Sequence, residues 1–367
     1  MGEQIDKSTR SAKFGEKLPM TALQEYGMNT TTNDFGYPMN LHAYFTRGII
    51  WSQRLLFSKL PNGINDHRPI PLDFSGQAAN DYIRELLKRD APCLVARFGC
   101  VELDAVLRGY DISRGDSLFK KALCLLTGAY GPFWWDNSIR AGLLRTTGVF
   151  PADDATMMRF SARVLADVKA IDVLGTWNAR ECELRKKFFP NGKAVGLTDL
   201  DAFCFKNPWT SALAGKRILV VHPFCKTIAS QYARREKLFG DPQVLPDFKL
   251  ITYRPVSSFL GLKTPYKDWF EALEKMCADI AKIDFDVALI GCGAYGMSIG
   301  AFVKRELRKK AVHLGGVTQM LFGIKEDAGT AGPIADSTMN SGLVQGMKNV
   351  QTTIASTKAE PIGSSFK

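Results

Sequence analysis

Val287-Ala288-Leu289-Ile290-Gly291-Cys292-Gly293-Ala294-Tyr295-Gly296 is the stretch on which the fold reading turns. Four consecutive apolar residues make a strand buried on both faces, and the G-x-G-x-x-G that follows makes a tight turn into a helix. The same unit recurs along the chain. Strands are expected at Cys93 to Phe98, Ile171 to Trp177, Arg217 to Phe224, Leu250 to Arg254, Val287 to Gly291 and Ala311 to Leu314. Helices are expected at Ala79 to Lys88, Ala155 to Lys169, Thr227 to Phe239, Trp269 to Ile280 and Ile299 to Lys309. Apolar strands alternating with amphipathic helices specify an α/β fold: a Rossmann-like, mostly parallel sheet with helices on both faces. Ligands of such sheets bind beyond the carboxyl ends of the strands. Polar residues that close a strand therefore carry the functional weight.

Outside the alternating region, 81–326, the pattern changes. Residues 1–80 form an N-terminal extension with frequent Gly, Pro and Asn, and 327–367 form a polar tail of Gly, Ser, Thr, Ala and Lys. Within the extension, Leu41 to Leu60 carries Phe45, Ile49, Ile50, Trp51, Leu55, Leu56 and Phe57, with Arg47, Arg54 and Lys59 between them. It reads as an amphipathic helix, packed on the core or on a second subunit, or lying on a membrane surface.

Composition excludes several classes. The apolar fraction of 46% suits a globular core. No apolar run approaches the roughly 20 residues of a membrane-spanning helix, and the polar start, Met1 to Lys17, has no signal core. A cytoplasmic chain is expected. Eight cysteines lie scattered without a C-x-x-C pair, which fits neither a zinc site nor a disulfide framework. The net charge of +11 suits anionic partners, but no basic-aromatic module for nucleic acid stands out.

Three constellations fall at strand ends. In the first, Gly291, Gly293, Ala294, Tyr295 and Gly296 shape a turn whose backbone can approach a phosphate. A dinucleotide site needs an acid about 20 residues on. The chain has His313-Leu314-Gly315-Gly316 there, with Gln319 following, which disfavours a nicotinamide-dependent oxidoreductase. A phosphate turn for another ligand and a turn without ligand both stay open. In the second, His222 and His313 each close a strand, where an imidazole can contact a diphosphate or act as a base. Lys226, Gln231 and Arg235 follow His222 as further phosphate contacts, with surface placement the alternative. The third is Leu94-Val95-Ala96-Arg97-Phe98-Gly99-Cys100-Val101-Glu102-Leu103-Asp104. Arg97 can pair with phosphate oxygens, Phe98 and Gly99 make the turn, and Glu102 in the first helical turn can bind Mg²⁺ or Mn²⁺. A structural Arg–Glu pair is the alternative. Two D-x-D strings carry less weight: Asp284 and Asp286 precede a strand and belong at the wrong edge, and Asp199 and Asp201 sit in a loop.

Together these strings resemble a known family. Val95 to Leu103 resembles the R-F-G-x-x-E signature of glycosyltransferases with the GT-D fold. Support comes, in order, from Gly148 to Pro151, Asn207-Pro208-Trp209, Val221 to Phe224, Asp268-Trp269-Phe270, Gly291 to Gly296 and His313 to Gln319, so the likeness spans about 90–325. It implies a bacterial enzyme of surface-polysaccharide assembly that uses a nucleotide-diphosphate sugar, often with a divalent metal. The family's D-x-E metal motif maps onto Cys100-Val101-Glu102, with Cys100 where the better-known branch has Asp. Glu102 then needs Asp104 or the donor diphosphate to complete a metal site. Glu102, His222 and His313 are the expected catalytic groups. Arg97, Phe98, Gly99, Lys226, the Gly291 to Gly296 turn, Gly315, Gly316 and Gln319 are the expected donor contacts. The acceptor is a glycan or a lipid-linked hydroxyl, met in the cytoplasm or at the inner face of the membrane. A non-catalytic nucleotide-sugar-binding component of an assembly complex is the alternative, and the oligomeric state stays open.

Overall fold

The computed structural model describes residues 69–126 and 131–324. The amphipathic stretch Leu41 to Leu60, most of the extension and the 327–367 tail lie outside the described residues. In chain order, α1 (Gln77–Lys88) leads into β1 (Leu94–Arg97), α2 (Cys100–Ser113), α3 (Leu118–Leu126) and α4 (Asn137–Gly142), which runs into a π turn at Leu143–Thr147. There follow α5 (Asp154–Asp167), β2 (Val173–Thr176), α6 (Glu181–Phe188), β3 (Lys193–Gly196), β4 (Arg217–Val221) and α7 (Cys225–Tyr232). The last third holds β5 (Lys249–Tyr253), α8 (Trp269–Ile280), β6 (Val287–Ile290), α9 (Tyr295–Arg305), β7 (Lys310–His313) and α10 (Val317–Met320).

The seven strands form one sheet in the order β3-β2-β1-β7-β6-β4-β5, and every pairing is parallel. The expected Rossmann-like α/β class is what the chain adopts. Alternation along each strand divides the core in two. Val287 and Leu289 join Ile218, Val220 and Val95 on one face, under α1. Ala288 and Ile290 join Leu219, Val221 and Leu94 on the other, under α2, α5, α8 and α9. Burial of both faces is why these strands read as continuous apolar runs. The helix starts are local in origin: the carboxylates of Asp136, Asp153 and Asp268 accept backbone N–H groups in the first turns of α4, α5 and α8.

Two elements differ from expectation. β3 has only Ala194 and Val195 as apolar residues, so it shows little strand pattern alone; its pairing with β2 from Val173↔Lys193 to Thr176↔Gly196 makes it an edge strand. α7 ends at Tyr232 instead of continuing to Phe239. There the Tyr232 ring stacks on Phe248 at 4.5 Å, and its hydroxyl accepts the Phe248 N–H, tying the helix end to the approach to β5. α1 begins at Gln77 and buries Ile83 and Leu87 in the core, so residue 80 falls inside a packed helix. Among the described residues no helix is long and apolar enough to cross a membrane.

The topology selects one crevice. From β1 the chain moves outward to β2 and β3, and from β6 it arrives at β7 from the opposite side. β1 and β7 are neighbours that belong to the two opposed halves, so their carboxyl ends flank the switch point where ligands of such sheets bind.

A buried ion pair joins α2 to α6 beside this crevice. Arg180 donates through Nη1 and Nη2 to the two oxygens of Asp111, at 2.9 and 2.8 Å, with both residues almost fully buried. Asp111→Ala removes the bidentate partner of the buried Arg180 and leaves it only the half-exposed Glu183 at 3.9 Å, and the expected loss is about 3 kcal/mol. Asp116→Ala, which breaks ion pairs near the surface, is expected to cost about 0–1 kcal/mol. Urea unfolding of both variants measures the contrast.

Candidate functional site

Arg97 closes β1 and lies across the crevice. Its Nε donates to the Leu314 carbonyl beyond β7 at 3.0 Å, and its Nη1 donates to the Phe98 carbonyl at 3.2 Å. Trp177, just past β2, donates its indole N–H to the same Phe98 carbonyl at 3.1 Å. The guanidinium lies against Gly315, whose φ of 62° is left-handed and whose missing Cβ leaves the space that the guanidinium fills. Among the described residues no carboxylate pairs with it at ion-pair distance.

Three carboxyl groups nevertheless lie within its field. Glu102, in the first turn of α2, folds back over Gly99. Burial raises its carboxyl above the usual range, against the opposing influence of its own amide and of Arg97. Glu181 opens α6 and is fully buried. Its Oε2 accepts from the Thr176 hydroxyl at 2.6 Å and from the Trp177 and Asn178 N–H groups at 2.8 and 2.9 Å. Its Oε1 is buried with no hydrogen-bond partner. Burial pushes Glu181 up to about 7, although these hydrogen bonds and Arg97 hold it down. Asp201 follows β3, and burial likewise pushes it up to about 7, opposed by Arg97 and assisted by Asp199.

Two neutral imidazoles complete the edge. Burial and the Arg97 charge lower His313 to about 4. Its Nδ1 lies 3.2 Å from the Ile290 carbonyl, which can only accept, so the proton sits on Nδ1 and Nε2 keeps its lone pair. Burial lowers His222 to about 4 as well. Its Nδ1 accepts the Phe224 N–H at 3.1 Å, which leaves the proton on Nε2 as a donor. Gly291 packs beside His222: a Cβ there would stand 2.6 Å from the Gly315 carbonyl, 2.7 Å from the Thr318 hydroxyl and 2.8 Å from the His222 ring.

The structure thus gathers Arg97, Phe98, Gly99, Glu102, His222, Gly291, His313, Gly315 and Gly316 at one edge. It uses the rest of the glycine turn differently. The Ala294 N–H donates to the Thr147 carbonyl at 3.1 Å, and the Gly296 N–H donates back to Gly293 at 3.0 Å. Gly293, at a φ of 60°, packs under Thr147 and Phe259. Gly296 makes room for the His313 ring. The Tyr295 ring is buried, stacked on Trp269 at 5.1 Å, with its hydroxyl 3.1 Å from Ser258. Glycine here serves close packing of α9 on the sheet as much as ligand approach. Gln319 is buried on α10, whereas Lys226 is exposed on α7. Arg235 pairs with Asp247 at 2.8 Å, and Gln231 accepts from Arg234 at 2.6 Å.

The residues that the family resemblance assigns to a divalent cation do not fit one. Asp104 receives the Nε of Arg108 on both carboxylate oxygens at 3.1 Å, and Arg108 also pairs with Asp136 at 2.7 Å. Glu102 and Asp104 stand two residues apart on a helix and so face different sides. Burial raises the Cys100 thiol, which keeps its proton and makes it a poor ligand. Among the described residues no group of three or more His, Cys, Asp or Glu side chains is placed to hold a metal ion.

Of the two D-x-D strings, both given little weight from sequence, one lies at the wrong edge of the sheet and the other divides, Asp201 falling within the field of Arg97. Asp284 and Asp286 lie at the amino edge and pair with Arg217. Asp199 accepts the Gly76 and Gly196 N–H groups, at 2.9 Å each, and is structural; Asp201 belongs to the Arg97 site. Glu181 was missed from sequence, yet a signal existed. It stands five residues after the end of β2, as Glu102 stands five residues after the end of β1.

The buried carboxyls have a pH consequence. Glu181 has a folded value raised above that of the unfolded chain, so its contribution to stability is present at low pH and is lost as pH rises from about 4.5 through about 7. Both histidines are lowered, so their contribution is present above about 6.5 and is lost as pH falls through about 4. The two trends oppose where these windows overlap, so the informative quantity is a difference. Wild-type unfolding free energy relative to Glu181→Gln is expected to decline across pH 4.5 to 7 and to level off above; a pH-independent difference in chemical denaturation contradicts the assignment. Comparison with protein-family models, with curated proteins and with solved structures finds no match.

Proposed function

We propose that this chain transfers a sugar from a nucleotide-diphosphate donor to an acceptor hydroxyl of a glycan or a lipid-linked glycan. The observation that carries the reading is Arg97. A planar cation is fixed across the switch-point crevice by two backbone carbonyls, with no carboxylate in ion-pair contact among the described residues. Such a group suits bidentate contact with a diphosphate, and the crevice is where nucleotide ligands of this sheet class bind. The family likeness of Arg97 to Glu102 supports the same reading.

The chemistry follows from protonation states. The acceptor oxygen attacks the anomeric carbon, and the bond from that carbon to the diphosphate oxygen breaks. Negative charge then develops on the leaving diphosphate, where Arg97 and the Nε2–H of neutral His222 provide donors. The acceptor proton needs a base with an affinity matched to neutral pH. Asp201 and Glu181 both have that affinity, and Asp201 is the less enclosed of the two. Asp201 therefore takes the proton in this scheme. Glu181 organises the turn that carries Trp177 and, through the Phe98 carbonyl, the guanidinium.

Release of nucleotide from a panel of nucleotide sugars tests the reading. Arg97→Ala is expected to lower kcat/KM about a hundredfold, the scale of a lost donor at a developing oxyanion. Gly315→Ala, which places a methyl group against the guanidinium, is expected to weaken binding of inorganic pyrophosphate by about tenfold, measured by calorimetry. Equal turnover in wild type and Arg97→Ala overturns the scheme. Nucleotide-sugar binding without turnover in the wild type identifies a non-catalytic binding component instead.

A further inference from the structure

Helix α3 turns three large apolar side chains outward and buries a lysine. Leu118, Phe119 and Leu123 are 77, 80 and 51% exposed, whereas Lys121 between them is only 9% exposed and donates its ammonium to the Ile112 carbonyl at 2.8 Å. Residues 118, 119 and 123 fall on one side of a helix. Three large apolar side chains of α3 therefore face outward, while Leu125 is buried beneath the helix. Contiguous exposed apolar side chains of this size mark a contact surface.

A second observation lies at the foot of the same helix. A cavity of about 400 Å³ opens between the end of α2 and α6, lined by Tyr110, Ser113, Arg114 and Lys187 along with Gly115 and Asp116. Lys187 is 2.9 Å from the Tyr110 hydroxyl and sits 4.7 Å from the centre of its ring. Asp116 bridges Arg114 and Lys120 at 3.1 and 2.6 Å, which orders both cations at the rim of the cavity. The chain as a whole carries +11.

We propose that α3 and this cavity form a seat for an anionic membrane surface. A lipid headgroup phosphate occupies the cavity, against Arg114, Lys187 and the Tyr110 hydroxyl. Leu118, Phe119 and Leu123 enter the acyl boundary beside it. The pairing of an apolar helix side with adjacent cations is the pattern of interfacial helices, whose affinity combines buried apolar area with attraction to anionic lipid. The proposal is independent of the sugar-transfer reading, since none of these residues belongs to the Arg97 site.

The test uses the full chain and sedimentation with vesicles of phosphatidylcholine, alone or mixed with phosphatidylglycerol. Wild type is expected to sediment with the anionic vesicles and to be released by salt. The Leu118→Ser, Phe119→Ser double variant is expected to lose about tenfold or more in partitioning. Lys187→Glu is expected to lose the preference for phosphatidylglycerol. Both variants change exposed side chains, and an unshifted thermal melt shows that folding is intact. Sedimentation of the double variant at the wild-type level overturns the proposal, because binding then resides elsewhere, as on Leu41 to Leu60. A wild-type dimer that the double variant dissociates, seen by light scattering, also overturns it and assigns the face to a second copy. Release by inorganic phosphate at constant ionic strength overturns the membrane assignment in favour of a soluble phosphate ligand.

Discussion

One cation organises the carboxyl edge of this sheet. Arg97 is the last residue of β1, yet its guanidinium bonds to a carbonyl beyond β7, the strand from the opposite end of the chain. The crevice between the two half-sheets is thereby bridged by a charged, planar group. Everything nearby accommodates it: Gly315 gives up a side chain beneath it, and Trp177 shares the Phe98 carbonyl with it. Glu102, Glu181 and Asp201 approach from three different strand ends without pairing to it. An arginine sealed by a carboxylate would be a strut. Here its charge stays available to a ligand.

The carboxyls explain how such a site is tolerated in the free protein. Three ionised carboxylates around one arginine would leave a surplus of negative charge in a poorly solvated crevice, which is costly. Burial raises all three, so protons relieve part of that surplus near neutral pH. The same arrangement places groups able to exchange a proton beside a fixed positive charge, the combination that displacement of an anionic leaving group needs. The two histidines remain neutral because burial disfavours their charged forms, and for His313 the Arg97 charge adds to this.

Away from the crevice, α3 shows the opposite balance. Leu118, Phe119 and Leu123 face outward while Lys121 is buried, an arrangement that costs free energy in water and becomes favourable against a surface that takes up the apolar side chains. Its position beside a cationic cavity gives the molecule a second region of chemical character, distinct from the Arg97 crevice.

The sequence by itself determined the strand and helix alternation, the parallel α/β class and the significance of residues that end strands. These depend on local periodicity and on turns such as Gly291 to Gly296, and both are visible along a chain. It also identified Arg97, Glu102, His222 and His313 as belonging to one edge, because a parallel sheet sends every strand end to the same side. Tertiary structure decided the rest. Strand order put β7 beside β1 and so brought Leu314 and Gly315 to Arg97, a pairing across more than two hundred residues with no local signature. Packing turned Tyr295 into the core and Asp104 onto Arg108. It also separated Asp199, held by backbone amides, from Asp201, left within the field of Arg97. Burial raised Glu181, which in sequence is one acid at the head of a charged helix. Proton affinity depends on desolvation and on neighbours in space, and neither exists until the chain is folded.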